Sequence, residues 1–158
     1  MKFALKICIL FIAAIFVILQ FFRIDQTNPV VSAGETIDAA VEVPPDIQII
    51  LGRSCNDCHS NTTIYPWYAN VQPTGWFVKN HIDDARRHLN FSTFNTYSLS
   101  KKQKKLSEMC EQVRSSEMPL PSYLWIHRDA QMQPGEAEAL CSWTNQAIAF
   151  LEKSAPKE

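Results

Sequence analysis

The sequence predicts an all-α domain with long loops behind an N-terminal transmembrane helix. Apolar residues recur at helical spacing in several segments after residue 44, whereas no segment alternates apolar and polar side chains for long enough to form a strand. Proline and glycine residues separate these segments, most densely in residues 60–75, and predict loops there. We therefore expect a membrane anchor or signal, a flexible tether, a folded domain and a short tail, over residues 1–22, 23–44, 45–153 and 154–158.

The N-terminal segment is apolar from residue 7 to residue 22, with Gln20 as its single polar member, and Lys2 and Lys6 precede it. It is slightly shorter than the roughly 20 residues that span a bilayer, but apolar residues before Lys6 extend it. A small-residue cleavage pattern occurs only at 31–33, about ten residues beyond the apolar run, which favours an uncleaved anchor over a removed signal. The two lysines are expected to keep the N-terminus in the cytoplasm, so the remaining chain lies outside.

Four helices are predicted after the tether. The first helix is expected to begin at Pro45, and the second to span Trp76–Leu89. The third is expected to begin at a capping box formed by Ser100 and Gln103, and the fourth to begin at Pro134. The last three helices carry apolar stripes that predict a common core: Val78, Ile82, Ala85 and Leu89; Leu106, Cys110 and Val113; and Ala137, Leu140, Thr144, Ala147, Ile148 and Leu151.

Charge excludes one class of function. The chain has 15 basic and 16 acidic residues, and residues 23–158 hold 13 of the basic residues and all of the acidic ones. Nucleic-acid binding needs a basic surface to contact phosphates, so this exported part is not expected to bind nucleic acid.

Cys55-Asn56-Asp57-Cys58-His59 is the motif that predicts chemistry. Two thiols at this spacing can each form a thioether with one vinyl group of a haem, and the histidine that follows can bind the iron. A thioredoxin-like redox pair would need a βαβ setting, which the sequence lacks. A zinc site with Cys110 and Cys141 would lack a second closely spaced cysteine pair. We therefore predict one covalently bound haem c, with His59 as an iron ligand.

The second iron ligand is open between methionines and histidines. The candidates are Met109, Met118, Met132, His81, His88 and His127, or no protein ligand at all. Met118 is favoured because Pro119 pushes the preceding residue out of helical geometry, which lets its side chain project from an extended loop. Met109 lies on a predicted core face, where methionine more often packs than binds a metal.

The motifs CNDCHSN, YPWY, QPTGW, HLNFS and EMPLPSYLWIHRDA, with a late Trp143, resemble the haem-binding domain family of small bacterial single-haem c-type cytochromes. The resemblance covers roughly residues 45–152. It implies a small cytochrome c-like arrangement with terminal helices crossing beside the haem, bound through Cys55, Cys58, His59 and Met118. The last helix departs from the family pattern, because Gln133-Pro134-Gly135 stands where a serine-led acidic cap is usual.

These observations predict a one-electron carrier rather than an enzyme, held in the cytoplasmic (inner) membrane by a single span, with the haem domain in the periplasm or outside. Redox proteins and the membrane are the expected partners, and a lysine cluster at 101–105 is a candidate docking patch. The alternatives are a haem enzyme or gas or redox sensor with an open distal site, or an assembly module with a vestigial haem. The sequence leaves open the oligomeric state and a disulfide between Cys110 and Cys141.

Aromatic side chains in the loops are candidates for the walls of the haem pocket, where an NH or OH group could reach a propionate: Trp67, Tyr68, Trp76, Tyr123 and Trp125. Arg53 could pair with a propionate, although a solvated arginine is the expectation.

Overall fold

The computed structural model describes residues 1–154, and the part of the predicted tail beyond residue 154 lies outside the described residues. The described chain contains α-helices and short 3-10 helices and has no strand, which confirms the all-α prediction. The α-helices are α1 (Lys2–Leu19), α2 (Ile37–Ala40), α3 (Pro45–Ser54), α4 (Asn56–His59), α5 (Thr74–His88), α6 (Leu99–Arg114), α7 (Pro121–Leu124) and α8 (Glu136–Ser154). The 3-10 helices are Ala33–Glu35, Trp67–Asn70, Phe91–Thr96 and Arg128–Ala130.

Helix α1 is apolar and long enough that it could span a membrane. None of its residues is buried against the rest of the protein, so its apolar side chains are available to lipid. An N-terminal signal sequence has the same length and apolar composition.

The core of the domain lies where α3, α6 and α8 meet. Helices α6 and α8 share the most extensive contact in the molecule, and Cys110 of α6 is disulfide-bonded to Cys141 of α8. The Cα atoms of these two cysteines are 4.7 Å apart, so the question that the sequence left open is resolved in favour of a bridge. The largest fully buried side chains are Ile47, Phe94, Leu106, Leu140, Cys141 and Thr144, together with Gln72.

The segment between α1 and α3 differs from the predicted flexible tether. Ile37, Val41 and Val43 are buried in the core, and Asn28 donates a hydrogen bond to the Thr63 carbonyl at 2.9 Å. Trp143 of α8 donates its indole N–H to the Glu42 carbonyl at 2.9 Å. The segment has no helical or strand period because it is bound by scattered side chains rather than by a continuous apolar face.

Helix boundaries differ from the predictions by a few residues. Helix α5 spans Thr74–His88, close to the predicted 76–89. Helix α6 begins at Leu99, and Ser98 is its N-cap, accepting from the Lys101 N–H at 3.3 Å; the prediction of Ser100 as the cap is therefore wrong. Helix α8 begins at Glu136 rather than at Pro134. Gly135 has a positive φ of 87°, which is incompatible with a right-handed α-helix, so the helix starts only after it.

Candidate functional site

A cavity of about 540 Å³ lies between α4, the later turns of α5, α6 and the chain leading into α7. Its volume falls within the range of about 300 to 1,000 Å³ that is typical of pockets for organic ligands and cofactors. Its walls are mostly apolar. The lining residues that matter for chemistry are Cys55, Cys58, His59, Met109, Met118 and Tyr123.

Helix α4 brings the two cysteines and His59 onto this cavity. Cys55 ends α3 with a φ of −130°, so the chain turns there and starts a new helix rather than continuing the old one. The His59 N–H donates to the Cys55 carbonyl at 2.9 Å, which closes one helical turn around the motif. Residues three apart share a face of such a turn, so both thiols line the same wall. Cys55 and Cys58 are free thiols.

Burial keeps both thiols protonated. It raises the pKa of Cys55 to about 12 and that of Cys58 to about 11, and the Asp57 carboxylate adds to the rise at Cys58. A cysteine with a raised pKa is a weak nucleophile and a poor redox-exchange group, because the thiolate is the reactive species. The environment is therefore unlike that of a thioredoxin-type pair, whose attacking thiol has a lowered pKa.

His59 has a fixed orientation and protonation state. Its Nδ1 lies 3.0 Å from the Leu89 carbonyl oxygen, and because a carbonyl only accepts, Nδ1 carries the proton. Burial lowers the pKa of His59, so the ring is neutral near pH 7. Nε2 is then the nitrogen with a free lone pair, which is the arrangement expected of a metal-binding histidine held by a backbone acceptor.

The segment that supplies the Leu89 carbonyl is itself held in place. Asn90 donates from Nδ2 to Asn61 Oδ1 at 2.8 Å, and its Oδ1 accepts from the Ser92 N–H at 2.9 Å. These contacts fix Leu89 and Phe91, both of which line the cavity beside His59. The sequence analysis quoted this segment only for its resemblance and missed its role in orienting His59. Every residue has a backbone carbonyl, so the sequence does not show which carbonyl accepts a hydrogen bond from His59.

The candidate second ligands separate into two groups. Four of them line the cavity: Met109, Met118, His81 and His88. Met132 instead lines a separate shallow depression, and His127 accepts or donates a hydrogen bond with the Tyr68 hydroxyl at 2.7 Å. The structure thus brings Cys55, Cys58, His59 and Met118 to one cavity, as the sequence analysis expected, and keeps His81 and His88 near it as well.

A turn at the end of α6 returns the chain to the cavity at Met118. Ser116 has a φ of 60°, and the Glu117 and Ser116 N–H groups donate to the carbonyls of Gln112 and Val113 at 3.0 and 3.2 Å. This pair of bonds is a Schellman motif, which ends a helix and reverses the chain. Because the left-handed residue is a serine rather than a glycine, sequence patterns did not reveal it.

Of the predicted aromatic wall, only Tyr123 lines the cavity. Its hydroxyl donates to Asp57 Oδ2 at 3.0 Å, and its ring stacks on that of His127 at 4.2 Å. Trp67 and Trp125 are largely exposed, and the indole of Trp76 donates to the Phe22 carbonyl. Arg53 forms an ion pair with Glu136 of α8 rather than reaching the cavity. The expectation that Arg53 is merely solvated is therefore wrong.

The sequence model of one protein family, described as a haem-binding domain, matches residues 14–146. The chain belongs to the haem-binding domain family. No curated protein and no solved structure matches the chain. The matched range includes most of the segment before α3, in agreement with its packing on the domain. The donor set fits haem: a neutral imidazole, two thioethers and two thiols share one apolar cavity of suitable size.

Proposed function

We propose that this haem-binding domain carries one c-type haem, attached through Cys55 and Cys58, and transfers single electrons at the outer face of the cytoplasmic membrane. The observation that carries the proposal is that the two free thiols and His59 Nε2 belong to one helical turn on the wall of one cavity. When bound, haem supplies a one-electron iron couple, and the chain's residues set its orientation and potential.

The attachment chemistry follows from the two protonated thiols. Each S–H would add across one vinyl C=C, forming a carbon–sulfur bond while the hydrogen goes to the other vinyl carbon. No oxidant or reductant is consumed in this addition. The Cys110–Cys141 bridge keeps the other two cysteines of the domain out of this chemistry, so Cys55 and Cys58 remain the available pair.

We assign the iron ligands as His59 and Met118. His59 is oriented by Leu89, and Met118 is returned to the cavity by the Schellman turn. If both residues hold the iron, no coordination position would remain for a substrate, which supports a carrier rather than an enzyme. Redox proteins would meet the domain beside the cavity, whose lining includes the charged residues Asp84, Lys105 and Glu108.

Covalent attachment is tested by haem staining after denaturing electrophoresis of protein produced with a c-type maturation system. Wild-type protein is expected to keep its stain, because thioether bonds survive unfolding. The double variant Cys55→Ala/Cys58→Ala is expected to lose all covalent stain, and its haem should pass into acidified solvent. Cys8→Ala is the matched control and should stain like wild type. A stained double variant would contradict the proposal.

A further inference from the structure

Aromatic side chains are exposed where α1 meets the domain. Phe21 and Phe22 directly follow α1 and are 82 % and 61 % exposed, while Trp76 and Phe77, in the first turn of α5, are 39 % and 55 % exposed. Trp76 donates its indole N–H to the Phe22 carbonyl at 2.8 Å, which joins the two pairs. We call these four residues the aromatic patch.

Hydrogen bonds fix the patch against the end of α1. The Gln20 side chain donates to the Gln72 carbonyl at 3.0 Å and accepts from the Gln72 N–H at 2.9 Å. The buried Gln72 side chain in turn accepts from the Trp76 N–H at 3.2 Å. The first turn of α5 therefore has a defined position relative to Gln20, the C-cap residue of the apolar helix.

The chain after α1 then runs along α5. Phe22 contacts Trp76 near the start of α5, and Asn28 accepts from Arg86 Nη2 at 2.8 Å near its end. Arg86 also donates to the Ser60 carbonyl at 2.8 Å, which ties this contact to the loop that follows the cysteine motif. Part of the segment that was predicted to be a flexible tether, residues 23–28, is thus held against the folded domain.

We propose that the aromatic patch lies in the headgroup region of the lipid bilayer, so that the haem domain rests on the membrane surface. This inference rests on the proposed membrane anchoring by α1. Tryptophan is enriched at the membrane–water boundary, because its apolar ring with a polar N–H edge fits that region, and this describes Trp76. The three phenylalanine rings beside it supply the apolar surface with which interfacial segments enter the headgroup region. The patch begins two residues after α1 ends, and exposed aromatic residues there would otherwise face water.

The placement determines where the haem cavity lies. His81 and His88 line the cavity, one and three turns of α5 beyond Phe77. At about 1.5 Å per residue, these positions are about 6 and 16 Å along the helix from the patch. The cavity is therefore held close to the bilayer surface, within reach of a redox partner embedded in the same membrane.

The test is the rate at which a water-soluble maleimide labels single cysteines in full-length, haem-loaded protein in lipid vesicles. The background carries Cys8→Ala, and the variants are Ile12→Cys in α1, Phe77→Cys in the patch and Ile49→Cys on α3. Ile49 is the matched control, because it is also an apolar helix residue and is 66 % exposed. Each rate is divided by the rate of the same variant unfolded in urea, which removes intrinsic differences in thiol reactivity.

We expect Ile49→Cys to react at close to its unfolded rate, Phe77→Cys at least tenfold more slowly, and Ile12→Cys not at all. If Phe77→Cys reacts as fast as Ile49→Cys while Ile12→Cys is protected, the proposed position of the aromatic patch in the headgroup region is wrong, and the proposed membrane insertion of α1 still holds. Rapid labelling of Ile12→Cys would show that α1 is not inserted in the membrane, which would contradict both the proposed anchoring and the proposed position of the aromatic patch.

Discussion

Two methionine side chains reach the cavity from different structural settings. Met109 is 7 % exposed and belongs to the buried face of α6, where its side chain packs in the core. Met118 is only partly buried and follows the turn that ends α6. Replacing Met109 would therefore mainly disturb the packing of the hydrophobic core. Replacing Met118 would remove a thioether from the cavity wall and disturb the core packing little.

We predict that Met118→Ala opens the sixth iron position. The ferric protein should lose the weak far-red band of a methionine–iron bond, bind cyanide readily, and have a lower potential, because a thioether stabilises ferrous iron. Met132→Leu is the control and should leave all three properties unchanged, since Met132 lies outside the cavity. The absorption spectrum and a redox titration measure these effects. A low-spin Met118→Ala protein alongside a high-spin His81→Ala or His88→Ala protein would contradict the assignment.

Glu136, the first residue of helix α8, makes two interactions through its carboxylate. The Glu136 carboxylate accepts from the Gln133 N–H at 2.7 Å and pairs with Arg53 at the end of α3. The hydrogen bond from Arg53 is the largest of the effects that hold the pKa of Glu136 below its usual value. This carboxylate takes the place of the serine-led cap, and it joins two helices as well as starting one.

We predict that this contact weakens in acid. Because the folded-state pKa of Glu136 is depressed, its contribution to stability is complete above the unfolded pKa of about 4.5 and is lost as the pH falls through the lower folded value. Both side chains are partly exposed, so the contribution is about 0.5 kcal/mol. Urea unfolding at pH 7 and pH 3 should show that Glu136→Gln costs stability only at pH 7. Glu138→Gln is the control, and an equal loss at both pH values would contradict the prediction.

Several elements could be predicted from sequence because their signals are local. The apolar stripes identified α5, α6 and α8, and the cysteine motif identified one wall of the cavity, since its spacing is set within a single turn. The Leu89 carbonyl and the binding of residues 23–44 could not be predicted. They depend on how the chain returns in three dimensions, through backbone groups and isolated polar side chains.

For the whole molecule, the bridge between α6 and α8 joins two long helices that are distant in sequence. Cys110 and Cys141 are 31 residues apart, and the chain between them includes Met118, α7 and Tyr123. The bridge therefore closes a loop that contributes one side of the cavity. Constraining a loop of this size reduces the entropy of the unfolded chain.

We predict that Cys110→Ala/Cys141→Ala lowers the free energy of unfolding by about 4 kcal/mol, the order expected from closing a loop of 31 residues. Urea titration of the haem-loaded protein, followed by far-ultraviolet circular dichroism, measures the change. The haem should remain attached, because Cys55 and Cys58 are unaffected. Ser142→Ala is the control for a change on α8 that leaves the bridge intact. A loss below 1 kcal/mol would show that packing alone holds the two helices.

The same bridge has a consequence for the order of events during biogenesis. Four cysteines lie outside α1, and a single disulfide can form among them in six ways, of which only the native bridge leaves both Cys55 and Cys58 as thiols. Cys110 and Cys141 meet only when α6 packs on α8, whereas Cys55 and Cys58 are neighbours from the moment of synthesis. In an oxidising compartment, the nearby pair would oxidise first and lose its ability to add to a vinyl group. Under the proposed export and covalent attachment, maturation of this protein would therefore require electrons to be supplied to one cysteine pair and removed from the other.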